Sequence, residues 1–224
     1  MDKQSLMQRN NLIRAGVMGA NDGILSVSGI VLGVAGATSN TGTILLAGFA
    51  GMLAGTVSMA MGEYVSVSSQ HDAQEKVRRV QTEALKSQYD TEFTFVKDKY
   101  VAEGISSHLA HQAAEEMMSK DPLTTTVRER NGFSLNHELS AGGAALASLI
   151  SFPIGSILPM LAISVMPRSM REIATFIAVV IALALTGYAA AALNGANKQK
   201  AVMRNIIAGV FTMIVTYVIG SLFR

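Results

Sequence analysis

Cysteine and tryptophan are both absent from the 224 residues. Without cysteine the chain makes no disulfide, no thiolate metal site and no Cys nucleophile. Without tryptophan any aromatic belt at a bilayer interface rests on Tyr and Phe. Charge is scarce too: only 15% of residues are Asp, Glu, Lys or Arg, against about a quarter in an average soluble domain. The formal net charge is +2, and no Lys/Arg run of useful length exists, which sets nucleic-acid binding aside. The N-terminal stretch MDKQSLMQRNNLIRAG has neither the compact apolar core nor the small-residue cleavage site of a signal peptide. The first hydrophobic segment is therefore expected to stay in the mature protein.

What is abundant is apolar: half of the residues are hydrophobic. A bilayer-spanning helix needs roughly 20 mostly apolar residues, and five segments meet that standard: 15–37, 44–67, 141–166, 173–193 and 205–223. The linker TSNTGT between the first two is short and polar, so those spans are expected to form an antiparallel hairpin. Residues 70–136 differ in kind, with nine Lys/Arg and eleven Asp/Glu. They read as soluble helices: an extension of span two to Gln88, a helix Thr91 to Glu103 capped by Asp90 and stopped by Gly104, and a helix His108 to Lys120 capped by Ser106 or Ser107. A last short helix is opened by Asp121-Pro122. No strand pattern competes. The fold class is an all-α membrane protein of five transmembrane helices, with a helical insert between spans two and three. The regions are 1–69, 70–136 and 137–224.

Basic residues set the orientation, because Lys and Arg collect on the cytosolic side. A cytosolic N-terminus places Lys3, Arg9, Arg14, the nine of the insert, Lys198, Lys200 and Arg204 inside, and leaves only Arg168, Arg171 and Arg224 outside. The insert is then cytosolic.

Against this background two acids stand out. Asp22 lies in GANDGILSVSG of span one and Glu63 in AGTVSMAMGEYVSVSSQ of span two. A charge at the bilayer centre costs on the order of 3 kcal/mol on insertion scales, so such residues face a cavity or a partner. At about 1.5 Å rise per residue Asp22 lies about two turns in from Arg14, while Glu63 is close to the cytosolic end of span two. Met59 stands one turn deeper than Glu63 on the same face. Together they form a set of two hard oxygen donors and one soft thioether. For Glu63 the competing reading is an ordinary acid at a membrane boundary; for Met59 it is packing, as it is for Met18, Met52 and Met61. The many glycines of spans one and two permit close helix approach. Beside Asp22, Gly23 is the place where a loosened backbone lining a polar path is expected.

These residues resemble the vacuolar iron transporter family, five-span proteins that move ferrous and manganous ions out of the cytosol. The resemblance rests on GANDGILSVSG, AGTVSMAMGEYVSVSSQ, the YVAEG of the insert and the C-terminal TYVIGSLF, and covers nearly the whole chain. It implies a homodimer embedded in the lipid bilayer, with a path between the subunits lined by Asp22, Met59 and Glu63 of each. Fe2+ or Mn2+ is the implied substrate, H+ the coupling ion, and no cofactor is permanently bound. A dication favours ionised carboxylates, and its departure from an apolar site favours proton uptake, which is the chemistry of an antiporter. The thioether biases the path toward softer transition metals over magnesium and calcium.

The insert departs from the family pattern. There the resemblance implies a metal-binding module of paired glutamates, a Met-Met and a final acid. The matching positions here are Gln81, Ala84, Glu92, Phe95, Met117, Met118 and Asp121, so that three of five carboxylates are missing. Weak metal binding by Glu92, Met117, Met118 and Asp121, or none, is expected. His108, His111 and Glu115 share a helix face that transition metals accept, against the plainer reading of a wet helix surface. His71 and His137 lie near membrane boundaries, with no metal motif around them. Besides a proton-coupled exporter, the sequence leaves open a passive divalent channel and a membrane-bound sensor or dimeric scaffold. An enzyme is disfavoured: no Ser-His pairing, zinc-protease spacing or phosphate loop occurs, and Asp22 with Glu63 as an acid/base pair leaves Met59 unexplained. The compact form suggests a bacterial cell membrane.

Overall fold

The computed structural model describes residues 3–133, 135 and 140–224. His137 and the end of the expected insert at Asn136 lie outside the described residues. Among the described residues eight α-helices follow one another: α1 (Lys3–Ala37), α2 (Thr41–Ser87), α3 (Tyr89–Ala102), α4 (Ser107–Lys120), α5 (Pro122–Asn131), α6 (Ala141–Val165), α7 (Arg171–Asn194) and α8 (Lys198–Ser221). No strand occurs among the described residues. Five of these helices, α1, α2, α6, α7 and α8, are long and apolar enough to cross a membrane. The protein is a multi-pass, all-α membrane protein. Its chain divides into two compact units, Arg9–Val65 with Ala141–Arg224, and Met1–Gln8 with Ser66–Ser140.

The first unit is built around α1. Its core joins Ile24, Val27, Val31 and Leu32 of α1 with Ile44 of α2, Phe152 and Ile163 of α6, Val179 and Leu183 of α7 and Met213 of α8. α1 and α6 approach closely, as α1 and α8 do where a Cβ on Gly220 would collide with the Gly33 carbonyl. A Cβ on Gly23 would collide with the Phe152 carbonyl, and one on Gly155 with the Ala20 carbonyl. Each helix thus lays a bare backbone against the other, as small residues permit in membrane bundles. Ser156 Oγ bonds both Phe152 O (2.8 Å) and Gly23 O (3.3 Å). The backbone at Gly23 stays helical. The loosening expected there does not occur, because α6 fills the space that a polar path would need. Pro153 and Pro159 sit inside α6 without breaking it, as membrane helices tolerate when neighbours absorb the freed carbonyls.

At the turn between α1 and α2, Arg171 is almost fully buried. Its Nη1 donates to Ser39 O (3.3 Å) and Thr41 Oγ1 (3.2 Å), so the first residue of α7 ties down the hairpin turn. Sequence reading placed Arg171 in an external loop; its stem and head are instead enclosed by the turn they bind. α8 starts well before the apolar stretch at Asn205, because Asn197 caps it by accepting from the Lys200 N–H at 3.1 Å.

The second unit packs α3, α4 and α5 with the later part of α2. Val96, Ala114 and Met118 form its core, against Leu85, Phe93, Phe95 and Tyr100. The expected cap of α3 is corrected. Gln88, not Asp90, precedes the helix, and no side chain caps it. The Gln88 N–H still bonds Ala84 O, so α3 restarts directly from the end of α2 and Asp90 falls in the first turn, where the helix dipole favours an acid. Gly104 ends the segment at φ +96°, a conformation costly for any residue with a Cβ. Asp121 caps α5 as expected, accepting from the Thr124 N–H at 3.0 Å, with Pro122 in the first turn.

Candidate functional site

The two membrane acids have different partners. Asp22 is partly exposed in the single chain, and its Oδ1 accepts from Ser26 Oγ, one turn along α1, at 2.7 Å. Glu63 is buried, its side chain only 7% exposed. Both of its oxygens are taken by Arg14: Nη2 to Oε2 at 2.9 Å and Nη1 to Oε1 at 3.3 Å. Arg14 in turn donates to Asn11 Oδ1 at 3.1 Å, and its Nη1 lies 3.9 Å from Met18 Sδ. Met59 is partly buried against the bundle core.

Helix register explains this pairing. Arg14 stands 23 residues before the end of α1 and Glu63 22 residues after the start of α2, so in an antiparallel hairpin the two fall at the same height. Met59 is level with Met18 by the same count, and Asp22 lies deeper still. At about 1.5 Å per residue the three candidates form a ladder with rungs about 6 Å apart, Glu63 outermost and Asp22 about 12 Å further in. The pairing was legible in this symmetry about the turn, although charge counting alone treats Arg14 as a marker of topology. Met18 and Met61 are about half exposed in the single chain, whereas Met52 packs against the core.

The other half of GANDG faces elsewhere. Asn21 Oδ1 accepts from Thr186 Oγ1 of α7 (3.2 Å) and from Asn205 Nδ2 of α8 (3.1 Å). This amide pins α1 to two further helices. Neither Thr186 nor Asn205 was singled out in the sequence, although a polar residue in an apolar span is itself the signal.

In the insert, Gln81, Ala84 and Glu92 line one cavity of about 650 Å³ together with Lys76 and Arg130. Glu92 is 5% exposed. Arg130 grips it through Nε to Oε2 (2.7 Å) and Nη2 to Oε1 (2.9 Å), and Gln81 Nε2 adds a third bond at 2.6 Å. The Arg130 guanidinium also stacks 3.9 Å from the Phe95 ring centroid. Four of the positions matched to the family's metal module, Gln81, Ala84, Glu92 and Phe95, therefore lie around an arginine. The remaining candidates are engaged separately. Met118 is buried in the insert core, Met117 Sδ lies 3.4 Å from Arg128 Nη2 and 3.8 Å from the Tyr100 hydroxyl, and Asp121 caps α5. His111 packs edge-on against Phe93 at 5.1 Å. Among the described residues no three His, Cys, Asp or Glu side chains come together as a metal site.

A second ionic knot ties α3 to α5. Glu129 accepts from Lys99 Nζ (2.8 Å), the Tyr100 hydroxyl (2.8 Å) and Arg128 Nε (2.7 Å). Burial pushes its carboxyl up, but these three donors outweigh it and hold the carboxyl below its ordinary value of 4.5. Burial, then the Glu129 carboxylate, pushes the Tyr100 hydroxyl above its ordinary 10.0. Tyr100 belongs to the YVAEG motif, so that motif here serves the insert's own cohesion.

The class is thus a five-span helical membrane protein with acids set in its first hairpin. Residues 13–221 match the model of the VIT family, and the chain belongs to that family. It is 32% identical over 214 residues to a vacuolar iron transporter of Acanthamoeba castellanii, covering 94% of this chain and 78% of that one. It is 29% identical over 212 residues to vacuolar iron transporter homolog 2.1 of Arabidopsis thaliana (94% and 81%). With vacuolar iron transporter homolog 2 of Oryza sativa subsp. japonica the identity is 30% over 218 residues (97% and 93%).

Proposed function

We propose that this protein carries divalent transition-metal ions, Fe2+ or Mn2+, out of the cytosol in exchange for protons. In this reading it works as a homodimer in the bilayer, with Asp22, Met59 and Glu63 of each subunit lining the path and the insert on the cytosolic side. The observation that carries it is the placement of two carboxylates and a thioether at successive heights of one membrane hairpin, since apolar surroundings tolerate such acids only beside a cation, a proton or a polar cleft. Asp22 supports the exchange: its hydrogen-bond partner is a neutral hydroxyl, leaving its charge to be met by a dication or a proton. The dimer is supported by α2, where Leu46, Phe49, Leu53, Val57, Met61 and Tyr64 are exposed along one stripe. The names of the relatives, vacuolar iron transporters, agree with a metal substrate. For the insert, the reading is metal binding at Glu92, Met117, Met118 and Asp121 that is weak at most, because each donor already has a partner.

Reconstitution tests this. Proteoliposomes are loaded with Fe2+ or Mn2+ on the outside at two pH values, with the intact chain, Asp22→Ala and Glu63→Ala compared. Uptake that responds to an imposed pH gradient and is lost in both variants, with the dimer retained, is expected. Flux indifferent to the gradient points to a passive channel, and no uptake above empty vesicles points to a sensor or scaffold.

A further inference from the structure

We propose that Arg14 is a tethered counter-cation: it holds Glu63 and must be displaced by an arriving dication. This rests on the reading of Glu63 as a metal ligand and adds what controls access to it. Three observations carry it. First, the pair is bidentate, so each carboxylate oxygen already carries a cation's N–H; a two-pronged Arg–carboxylate bond is among the strongest a side chain makes. Second, exposure is lopsided. The Glu63 side chain is 7% exposed and that of Arg14 52% in the single chain, so the guanidinium and not the carboxylate is the accessible member of the pair. Third, the insert shows what an immobilised pair looks like. Arg130 is 33% exposed over a Glu92 side chain at 6%, yet it is also stacked on Phe95, and its carboxylate carries an extra bond from Gln81. Among the described residues Arg14 is steadied, apart from Glu63, by Asn11 Oδ1 at 3.1 Å and a long contact with Met18 Sδ at 3.9 Å, and Asn11 Nδ2 is itself buried without a partner. The holding contacts are those of a cation able to swing away.

The consequence is selectivity by charge. A monovalent ion displacing Arg14 would exchange one positive charge for another, with no electrostatic gain. A dication leaves the acid more than neutralised and so drives the exchange. The arginine also weakens apparent metal affinity by the fraction of time Glu63 is free, which favours release over trapping.

The test is equilibrium Mn2+ binding to the purified full chain in detergent, read from the free-ion electron paramagnetic resonance signal. If Arg14 covers Glu63 about nine-tenths of the time, Arg14→Gln tightens Kd for Mn2+ about tenfold. Glu63→Gln weakens it by at least that factor, and the double variant behaves like Glu63→Gln. Unchanged or weaker binding in Arg14→Gln, with Glu63→Gln still weakened, overturns the counter-cation role and leaves Glu63 as a ligand. Unchanged binding in Glu63→Gln overturns the ligand reading and this proposal with it. Should Arg14→Gln not yield monodisperse protein, Arg14→Lys takes its place. An ammonium cannot make the fork, so Kd is expected to tighten about threefold, and an unchanged Kd overturns the proposal.

Discussion

Glu63 and Glu92 are the same chemical object in two settings. Each is a buried carboxylate gripped by both prongs of one arginine. In the insert the grip is closed: Phe95 backs the guanidinium, Gln81 fills a further acceptor site on Glu92, and the metal-module positions of the family are spent on holding Arg130. In the membrane hairpin the grip is open on one side, with Arg14 half exposed and held, apart from Glu63 itself, by Asn11 and a long contact with Met18. The difference teaches that the type of contact alone says little about role. What surrounds the cation decides whether the acid is permanently neutralised or only temporarily covered.

The sharpest way to break this contrast is to remove the acids one at a time. Asp22→Ala and Glu63→Ala are expected to reduce proteoliposome uptake of Mn2+ by at least about a hundredfold, whereas Glu92→Ala lowers it far less, by about threefold at most. A Glu92→Ala chain as inactive as Glu63→Ala would erase the distinction. Next in size, Gly23→Ala drives a methyl into the Phe152 carbonyl, and overpacking of this kind costs about 1 to 3 kcal/mol. Loss of thermal stability in detergent checks it, and an unchanged melting point would restore the idea of a loose backbone beside Asp22.

Arg130→Gln leaves Glu92 buried without its cation. The insert should lose about 2 kcal/mol, less than the 3 to 5 kcal/mol of a fully buried pair, because Arg130 is partly exposed. Hydrogen exchange of α3 and α5 in the full chain reads this, while Mn2+ half-saturation stays as it was. A shift in half-saturation like that expected for Arg14→Gln would make the two pairs equivalent.

The smallest effect is on pH. The Glu129 carboxyl is held below its ordinary 4.5, so its contribution is complete above that value and is lost as pH falls through the lower, folded one. Tyr100, held above 10.0, contributes below that value and loses its share as pH rises through the higher, folded one. Protection of α5 amides should therefore decline in acid below about pH 4.5, and Glu129→Gln should flatten that decline. The membrane hairpin should show no such step from this cluster.

Much of the molecule was legible in the chain by itself. Five apolar stretches of bilayer length fix five helices, because a backbone in lipid must satisfy its own hydrogen bonds. Asp22 and Glu63 announced themselves by being charged where charge is expensive, and Asp121-Pro122 marked a helix start that the structure keeps. The tertiary structure decided everything that depends on which face turns where. It brought Arg14 onto Glu63, Asn21 onto Thr186 and Asn205, and Arg130 between Glu92 and Phe95. It also closed α6 over Gly23, where the sequence suggested an opening. The reason is physical: burial and length are properties of a residue and its neighbours along the chain, whereas a counter-charge is supplied from another segment. Register about the α1–α2 turn puts Arg14 at the height of Glu63, but no local pattern brings Arg130 onto Glu92.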